Sequence, residues 1–318
     1  FPPDDPLYLG MLGMHAARAT NMLLEEADLI LAMGVRFDDR ATGQVEEFCP
    51  QANIAHVDID ASEIGKIKPS NLSIVGDVGS VLRALIPIVK EDARPEWMTR
   101  MAEIKKCSSL PKPKTDDPLQ PVNFIRHIAA IAGPDTIVCT DVGQHQMWTA
   151  QAYPVHKPRT LLTSGGLGTM GFGLPAAIGA ALANPDKRVV CISGDGSILM
   201  NIQELATLAE LDLNVTVIIM NNQHLGLVRQ QQELFYGKRY YASKFDKCPD
   251  FVTIAKGFNM PSYELEGCAD PIATLRQAIT ATGPALVNAP VHYAENVLPM
   301  VPPGRANREM IGGEPAHA

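Results

Sequence analysis

The chain has 318 residues, of which 46% are hydrophobic and 19% are charged, and its formal net charge is −8. This length suggests about two domains that can each bury a hydrophobic core. The acidic balance, without a dense Lys/Arg run, argues against a nucleic-acid-binding protein, and no apolar run approaches the ~18 residues of a membrane span.

Helix-like and strand-like segments alternate through the first 90 residues. Residues 16–27 and 78–89 predict helices, and apolar runs at 28–34, 54–60 and 73–77 predict strands. Short strands that are almost continuously apolar and are separated by helices are typical of a parallel sheet covered on both faces. We therefore predict a parallel α/β domain here.

Residues 93–120 interrupt this pattern. The run LPKPKTDDPLQP at 110–121 contains four prolines, which predicts a stiff linker. We place a domain boundary here, so that one domain covers 1–92 and a second covers 121–293. Residues 294–318, rich in Pro and Gly, then form a C-terminal tail.

The alternation resumes after the linker. Strands are predicted at 136–141, 160–164, 188–196, 215–222, 262–267 and 285–291, and helices at 122–133, 144–152, 170–185, 197–212, 225–235, 251–258 and 271–283. The predicted fold class is therefore α/β, with two doubly wound parallel-sheet domains.

Two polar residues follow neighbouring predicted strands in the stretch GDGSILMNIQELATLAELDLNVTVIIMNN. Asp195 comes after the first strand and Asn222 after the second. Because strands joined by one crossover helix end at the same sheet edge, both oxygens can reach one ligand. A carboxylate and an amide oxygen, completed by a backbone carbonyl, water and phosphate, suit Mg²⁺. Helix N-termini at this edge suit a diphosphate. The alternative is a pair of ordinary turns, in which Gly, Asp and Asn are common.

This GDG…NN arrangement resembles the signature of thiamine diphosphate-dependent enzymes. The segments GMLGMH, GVRFDDR, VGQHQMW, TSGGLGTMGFGLPAAIGAAL, GLVRQQQELFY and LPMVPPG are similar to the large catalytic subunit of acetohydroxyacid synthase, also called acetolactate synthase. The resemblance extends over essentially the whole chain. It implies Mg²⁺ bound by the side chains of Asp195 and Asn222 and by the main-chain carbonyl of His224.

The resemblance also implies which residues of the second domain bind thiamine diphosphate. They are Val142, Gly143, Gln144, His145, Gly168, Met170, Gly194, Gly196, Ser197, Gly226 and Leu227. The VGQH segment follows a predicted strand, so it lies at the same kind of carboxyl edge. Met170 matches the residue that wedges between the two cofactor rings; without the resemblance, core packing would explain a methionine equally well.

The first domain resembles the family's FAD-binding middle domain. The flavin-contacting positions implied are Leu12, Gly13, Met14, His15, Gly34, Arg36, Asp38, Arg40, Asp58, Ile59, Asp77 and Val78. Two arginines suit the oxygens of a flavin dinucleotide. Without the resemblance, RFDDR is only a charged loop. FAD carries out no net redox step in this family, so an oxidoreductase is not expected.

Met170 and Gln231 are the residues expected to act in catalysis. The family usually carries Trp at the position of Gln231, where it shapes the pocket for the second keto acid and favours 2-ketobutyrate over pyruvate. Glutamine occurs there in a bacterial class called isozyme I. The resemblance therefore implies only a weak preference for 2-ketobutyrate.

The activity implied is that of a transferase in branched-chain amino acid biosynthesis. Pyruvate is decarboxylated and its two-carbon unit is joined to a second 2-keto acid, which gives 2-acetolactate or 2-aceto-2-hydroxybutyrate. The alternatives are a pyruvate oxidase or a 2-keto acid decarboxylase of the same superfamily, or a non-catalytic cofactor-binding module. The expected partners are further copies of the subunit, which share the active site, and a small regulatory subunit.

The chain starts with FPPDDPLYLG, which contains neither an initiator Met nor a signal peptide. We expect a C-terminal fragment that lacks the family's N-terminal domain, which carries the catalytic Glu, and that is inactive alone. The six cysteines are widely spaced, which is typical of buried reduced thiols and a cytoplasmic protein.

Overall fold

The computed structural model describes residues 1–107 and 115–312, with the side chain of Cys107 left out. The described residues form two units. The three-stranded unit contains residues 9–107 and 298–312, and the six-stranded unit contains residues 1–8 and 115–297. Residues 108–114 of the predicted linker and 313–318 of the predicted tail lie outside the described residues.

The three-stranded unit contains each helix and strand predicted for the first 90 residues. Its elements are α1 (Arg18–Glu26), β1 (Leu29–Met33), α2 (Asp39–Thr42), β2 (Asn53–Asp58), β3 (Leu72–Val75), α3 (Val78–Leu85) and α4 (Pro95–Cys107). The strands form one parallel sheet in the order β1-β2-β3. The predicted parallel pairing is therefore confirmed.

Helix α4 lies inside the segment predicted as a linker, and the sequence analysis missed it. Pro95 occupies the first helical position, where its fixed φ and missing N–H are tolerated. Met101 and Ile104 are buried in one cluster with Ala19 and Leu23 of α1. The helix therefore forms because one of its faces packs, whereas the prolines that suggested a linker come after it.

The six-stranded unit follows the predicted alternation. Its elements are α5 (Pro121–Ala132), β4 (Ile137–Thr140), α6 (Gln144–Ala152), β5 (Leu161–Thr163), α7 (Gly173–Ala183), β6 (Val189–Gly194), α8 (Asp195–Ile198), α9 (Glu204–Glu210), β7 (Val215–Asn221), α10 (Gly226–Phe235), α11 (Phe251–Gly257), β8 (Ser262–Glu264), α12 (Pro271–Thr280) and β9 (Ala285–Pro290). All six strands are parallel, in the order β5-β4-β6-β7-β9-β8.

Both faces of this sheet are buried. Successive residues of β6 point to opposite sides, so that Val189 and Cys191 pack with α7, α9 and α11. Val190 and Ile192 pack with α5, α6 and α12 on the other side. The doubly wound α/β class is therefore confirmed. Among the described residues, no helix combines the length and the apolar character that crossing a membrane requires.

The single helix predicted over 197–212 is wrong, because the structure has two short helices there. Helix α8 ends at Ile198 and α9 begins at Glu204. Between them, the Asn201 side-chain amide donates a hydrogen bond to the Gly171 carbonyl at 2.7 Å. An asparagine side chain that bonds to backbone elsewhere favours a break in a helix over its continuation.

The central strands end side by side. In the parallel ladder Thr140 of β4 is level with Ile192 of β6, and Gly194 of β6 is level with Met220 of β7. The segments that follow these three strands therefore meet at one edge of the sheet, where ligands of open parallel sheets bind.

Two leucines on α7 test the two-faced core. Leu174 is 1% exposed and Leu182 is 56% exposed. We expect Leu174→Ala to lower the free energy of unfolding by about 2–5 kcal/mol, because it leaves a cavity against the sheet. Leu182→Ala on the same helix should change it by less than about 0.5 kcal/mol. Urea unfolding of both variants measures this, and equal effects would contradict the assigned packing.

Candidate active site

The segments that follow β4, β6 and β7 enclose a cavity of about 140 Å³. The cavity is lined by Val142, Gly143, Gln144, His145, Trp148, Met170, Gly194, Asp195, Gly196, Ser197, Met220, Asn222, His224, Leu225, Gly226, Leu227 and Val228. Helices α6, α8 and α10 all begin in this lining. Their first backbone N–H groups have no partner within the helix and suit an anionic ligand.

Asp195 is a buried carboxylate at the edge of the cavity. It is 3% exposed, and its Oδ1 accepts a hydrogen bond from the Gly196 backbone N–H at 2.9 Å. Its Oδ2 is buried and has no hydrogen-bond partner. Burial raises the pKa of Asp195 to about 6, while nearby backbone N–H groups, that of Gly196 included, act in the opposite direction. Such a carboxylate is stabilised by a cation that reaches Oδ2.

Asn222 and His224 lie next to this carboxylate, after β7. The Asn222 Oδ1 accepts the His224 backbone N–H at 3.0 Å, and its Nδ2 donates to Gln144 Oε1 at 3.1 Å. The His224 ring bonds back to the Asn222 carbonyl at 2.8 Å and stacks on Tyr293 with ring centroids 5.3 Å apart. These bonds fix a short turn that brings amide and backbone oxygens to the cavity.

Glycines create the space for these contacts. A Cβ at Gly226 would lie 2.1 Å from Gln144 Oε1 and 2.7 Å from Asn222 Nδ2. A Cβ at Gly194 would lie 2.9 Å from the His145 ring. Both positions therefore require glycine because of close packing.

His145 is a neutral histidine beneath the cavity. Its ring is buried, and its Nε2 has no hydrogen-bond partner. Burial lowers the pKa of His145 to about 3. The ring therefore adds no positive charge to the site at neutral pH, and its Nε2 has hydrogen-bonding capacity left for a ligand.

Asp141, at the end of β4, is a supporting residue that the sequence analysis missed. Its Oδ1 accepts the backbone N–H groups of Val142 and Gly171 at 2.9 and 2.8 Å. Its Oδ2 accepts the Ser193 hydroxyl at 3.1 Å. Asp141 thus joins the strand ends to the loop before α7, and burial raises its pKa. In the sequence, only the position of Asp141 at the end of a predicted strand could have indicated this role.

Most of the residues expected around thiamine diphosphate line the cavity, including Met170. Gly168 and Gln231 do not belong to its lining. Gln231 is half-buried on α10, next to the fully buried Gln230. The lining also includes four residues that were not expected, Trp148, Met220, Leu225 and Val228. Three of the four lie within two residues of a predicted site residue. The sequence did not indicate them, because an apolar side chain in a binding site looks like any other core residue.

In the three-stranded unit, two of the segments expected to contact flavin lie against each other. The Met14 N–H donates to the Arg40 carbonyl at 2.8 Å, and a Cβ at Gly13 would lie 2.2 Å from that same oxygen. Gly34, after β1, has a φ of +65°, and a Cβ there would lie 3.7 Å from Val78. These segments therefore meet at the carboxyl edge of the smaller sheet.

The charged residues at that edge form local contacts. Arg36 pairs with Asp38 at 3.2 Å; the arginine is exposed and the aspartate is partly buried. Arg40 is also exposed and lies 3.8 Å from Asp39. Asp38 caps α2 and Asp77 caps α3. The guanidinium groups thus stay accessible to an anionic ligand.

Four further expected positions differ in exposure. Asp58 ends β2 and is 8% exposed, and its Oδ1 accepts the Asp60 N–H at 2.9 Å. Ile59 and Leu12 are exposed at the surface. His15 is buried with Nδ1 3.2 Å from the Pro299 carbonyl, and burial lowers its pKa to about 4. His15 is therefore neutral near pH 7.

Two family models match the chain. Residues 1–85 match the thiamine pyrophosphate enzyme central domain, and residues 141–289 match the thiamine pyrophosphate enzyme C-terminal TPP-binding domain. From residue 9 onward the first match falls on the three-stranded unit, and the second falls on the six-stranded unit.

Acetolactate synthase subunits are among the similar curated proteins. The chain is 54% identical to the acetolactate synthase isozyme 1 large subunit of Escherichia coli (strain K12), over 98% of this chain and 55% of that protein. It is 40% identical to the isozyme 2 large subunit of the same organism, over 97% and 56%. It is 44% identical to the chloroplastic acetolactate synthase 2 of Zea mays, over 98% and 51%. The chain thus spans about half the length of these relatives.

Replacing the buried carboxylate tests its role as a cation ligand. We expect Asp195→Asn to abolish Mn²⁺ binding and to stabilise the metal-free protein at pH 8 by roughly 1–3 kcal/mol, because a desolvated charge is removed. Thermal unfolding and Mn²⁺ titration measure the two effects. The exposed Asp186→Asn is the control and should change neither. A less stable Asp195→Asn protein that still binds Mn²⁺ would contradict this role.

Proposed function

Because the chain belongs to the family of thiamine pyrophosphate enzymes, we propose that it is the cofactor-binding part of an acetolactate synthase large subunit. The proposed reaction decarboxylates pyruvate and joins the two-carbon unit to a second 2-keto acid. The products are 2-acetolactate, from a second pyruvate, and 2-aceto-2-hydroxybutyrate, from 2-ketobutyrate. Such products lead to branched-chain amino acids.

The observation that carries this proposal is the unpartnered Asp195 Oδ2 beside Asn222 in the lined cavity. We assign a Mg²⁺ ion to the side-chain oxygens of these two residues and to the His224 main-chain carbonyl. One carboxylate, one amide and one carbonyl leave positions for water and diphosphate oxygens, as Mg²⁺ prefers. A cation held by these oxygens would neutralise the Asp195 carboxylate and would leave the remaining positions to diphosphate oxygens.

Thiamine diphosphate supplies the nucleophilic carbon and the electron sink for the decarboxylation. The residues of this chain would bind and orient it. The backbone N–H groups at the N-termini of α6 and α10 would donate to the diphosphate. Met170 is assigned to the space between the two rings, where a flexible thioether can fill an irregular gap. The neutral His145 ring can share a hydrogen bond without adding charge.

We propose that the three-stranded unit binds FAD. Gly13 and Gly34 let the backbone approach a ligand at the strand ends. The Asp58 carboxylate ends β2 at a position suited to a ribose hydroxyl. Arg36 and Arg40 are exposed and suit diphosphate oxygens. The flavin has no net redox role in the reaction proposed.

The proposed partners follow from the same family assignment. They are further large subunits, which would complete the active site, and a small regulatory subunit. The cysteines whose side chains are described are all free, and Cys49, Cys139 and Cys191 are buried. Reduced thiols of this kind suit the cytoplasm, where we place the protein.

Product analysis tests the proposed activity. The complete protein from which this chain comes is incubated with pyruvate, Mg²⁺, thiamine diphosphate and FAD, and the expected product is 2-acetolactate. Asp195→Asn serves as the control and should form none, because it cannot anchor the diphosphate. Acetaldehyde as the main product would instead indicate a decarboxylase, and acetate or acetyl phosphate an oxidase. Cofactor binding without turnover would favour a binding module.

Gln231 is proposed to determine the preference for the second keto acid. Its amide is smaller and more polar than the Trp usual in the family, so the additional methylene of 2-ketobutyrate gains less contact. We expect the wild type to show a weak preference for 2-ketobutyrate in a competition with pyruvate. Gln231→Trp should raise this preference by about 10-fold or more, the range that one buried methylene provides. A strong wild-type preference, or no change in the variant, would contradict this role.

A further inference from the structure

The side chain of Gln144 is fully engaged by protein groups beneath the cavity. Its Nε2 donates to Gln230 Oε1 and to the Glu295 carbonyl, both at 2.9 Å. Its Oε1 accepts from Asn222 Nδ2 at 3.1 Å. Both amide hydrogens are therefore in use, and Gln144 meets a cofactor through the backbone at the start of α6. The side chain instead connects Asn222 to Gln230.

Gln230 is fully buried on α10 and bonds to the Val297 backbone. Its Nε2 donates to the Val297 carbonyl at 3.1 Å, and its Oε1 accepts the Val297 N–H at 2.7 Å. A backbone N–H only donates and a carbonyl only accepts, so these two bonds fix which end of the Gln230 amide is oxygen. That oxygen faces Gln144.

The three amides are oriented consistently along this chain. The Gln144 nitrogen points back because both the Gln230 oxygen and the Glu295 carbonyl accept from it, and the Gln144 oxygen therefore points to Asn222. The Asn222 nitrogen consequently faces Gln144, which leaves Oδ1 as the atom directed away, toward the His224 turn. The reversed Asn222 amide would present an NH₂ group, which cannot ligate a cation.

The packing around this chain of amides is close. A Cβ at Gly226 would lie 2.1 Å from Gln144 Oε1 and 2.7 Å from Asn222 Nδ2. The Asn222 side chain is 9% exposed, and those of Gln144 and Gln230 are 3% and 0% exposed. Water therefore has little access to replace a lost partner.

We propose that Gln230 is a positioning residue that acts through Gln144 to keep the Asn222 oxygen facing the metal. This inference rests on the Mg²⁺ site assigned in the proposed function. The residues that determine metal binding would then include not only the metal ligands but also Gln144, Gln230 and the Val297 backbone. Partners that orient a metal ligand typically contribute about 10- to 100-fold in metal affinity.

The test compares Gln230→Met with a matched control in the complete protein. Gln146 is 8% exposed on α6, and its Nε2 donates to the Thr163 hydroxyl at 2.8 Å, without contact to the amide chain. Gln146→Met thus removes a comparable buried amide. Mn²⁺ is the probe, and the EPR signal of the free ion measures its affinity in the presence of saturating thiamine diphosphate.

We expect Gln230→Met to weaken Mn²⁺ binding by about 10- to 100-fold, while Gln146→Met binds Mn²⁺ like the wild type. At saturating Mn²⁺ the affinity of Gln230→Met for thiamine diphosphate should be unchanged. A general loosening of the fold would weaken the binding of both Mn²⁺ and thiamine diphosphate and would lower the unfolding temperature. That pattern counts against the proposal.

Gln230→Glu provides the rescue. A buried carboxyl is expected to be protonated, so it can donate to the Val297 carbonyl and still accept from Gln144. Mn²⁺ affinity near that of the wild type supports the proposal, and a loss as large as in Gln230→Met overturns it. Equal affinity in the wild type and in Gln230→Met also overturns it. If the wild type itself binds no Mn²⁺, the proposed function fails instead.

Discussion

The buried carboxylate of Asp195 is the constraint around which the six-stranded unit is arranged. The carboxylate is almost fully removed from water, and one of its oxygens has no hydrogen-bond partner. A charge in such a place is unfavourable until a cation arrives. The backbone N–H groups around Asp195 offset only part of this cost, since burial still raises its pKa to about 6. The remaining cost would be recovered when a cation binds.

The rest of the site limits how that charge can be neutralised. The described cavity lining contains no Lys or Arg side chain, and its His145 ring is neutral because of burial. Arg229 lies just outside the lining on α10, but it is paired with Glu233 at 2.6 Å. The positive charge must therefore come from a ligand. A metal ion that carries a diphosphate brings the charge and the organic cofactor together.

The sequence predicted the ends of strands much better than the contacts between loops. Asp195 and Asn222 could be placed because each follows an apolar strand, and strand order then brings them together. The break at Asn201 and the helix from Pro95 could not be placed, since both depend on tertiary contacts. The helix-like pattern of apolar residues continues through the break at Asn201, so the pattern alone does not reveal the break. The apolar face of the helix from Pro95 is recognisable only once its packing partner, α1, is known.

The amide chain behind Asn222 was beyond prediction for the same reason. Gln144 and Gln230 are 86 positions apart, and Val297 is a further 67 positions away. Glutamine has no pattern that distinguishes a buried connector from a surface residue, whereas the positions of Asp195 and Asn222 at the ends of predicted strands are visible in the sequence. Ligands of a metal are therefore easier to find in a sequence than the groups that orient them.

In the proposed function, the two units would bind anions by opposite means. At the smaller sheet, Arg36 and Arg40 are exposed and carry permanent charge, so an anionic ligand can bind there without a metal. At the larger sheet, the described cavity lining contains no Lys or Arg side chain, and helix N-termini provide only partial charges. Binding at the larger sheet consequently requires a cation, and its strength depends on how firmly Asp195 and Asn222 are held.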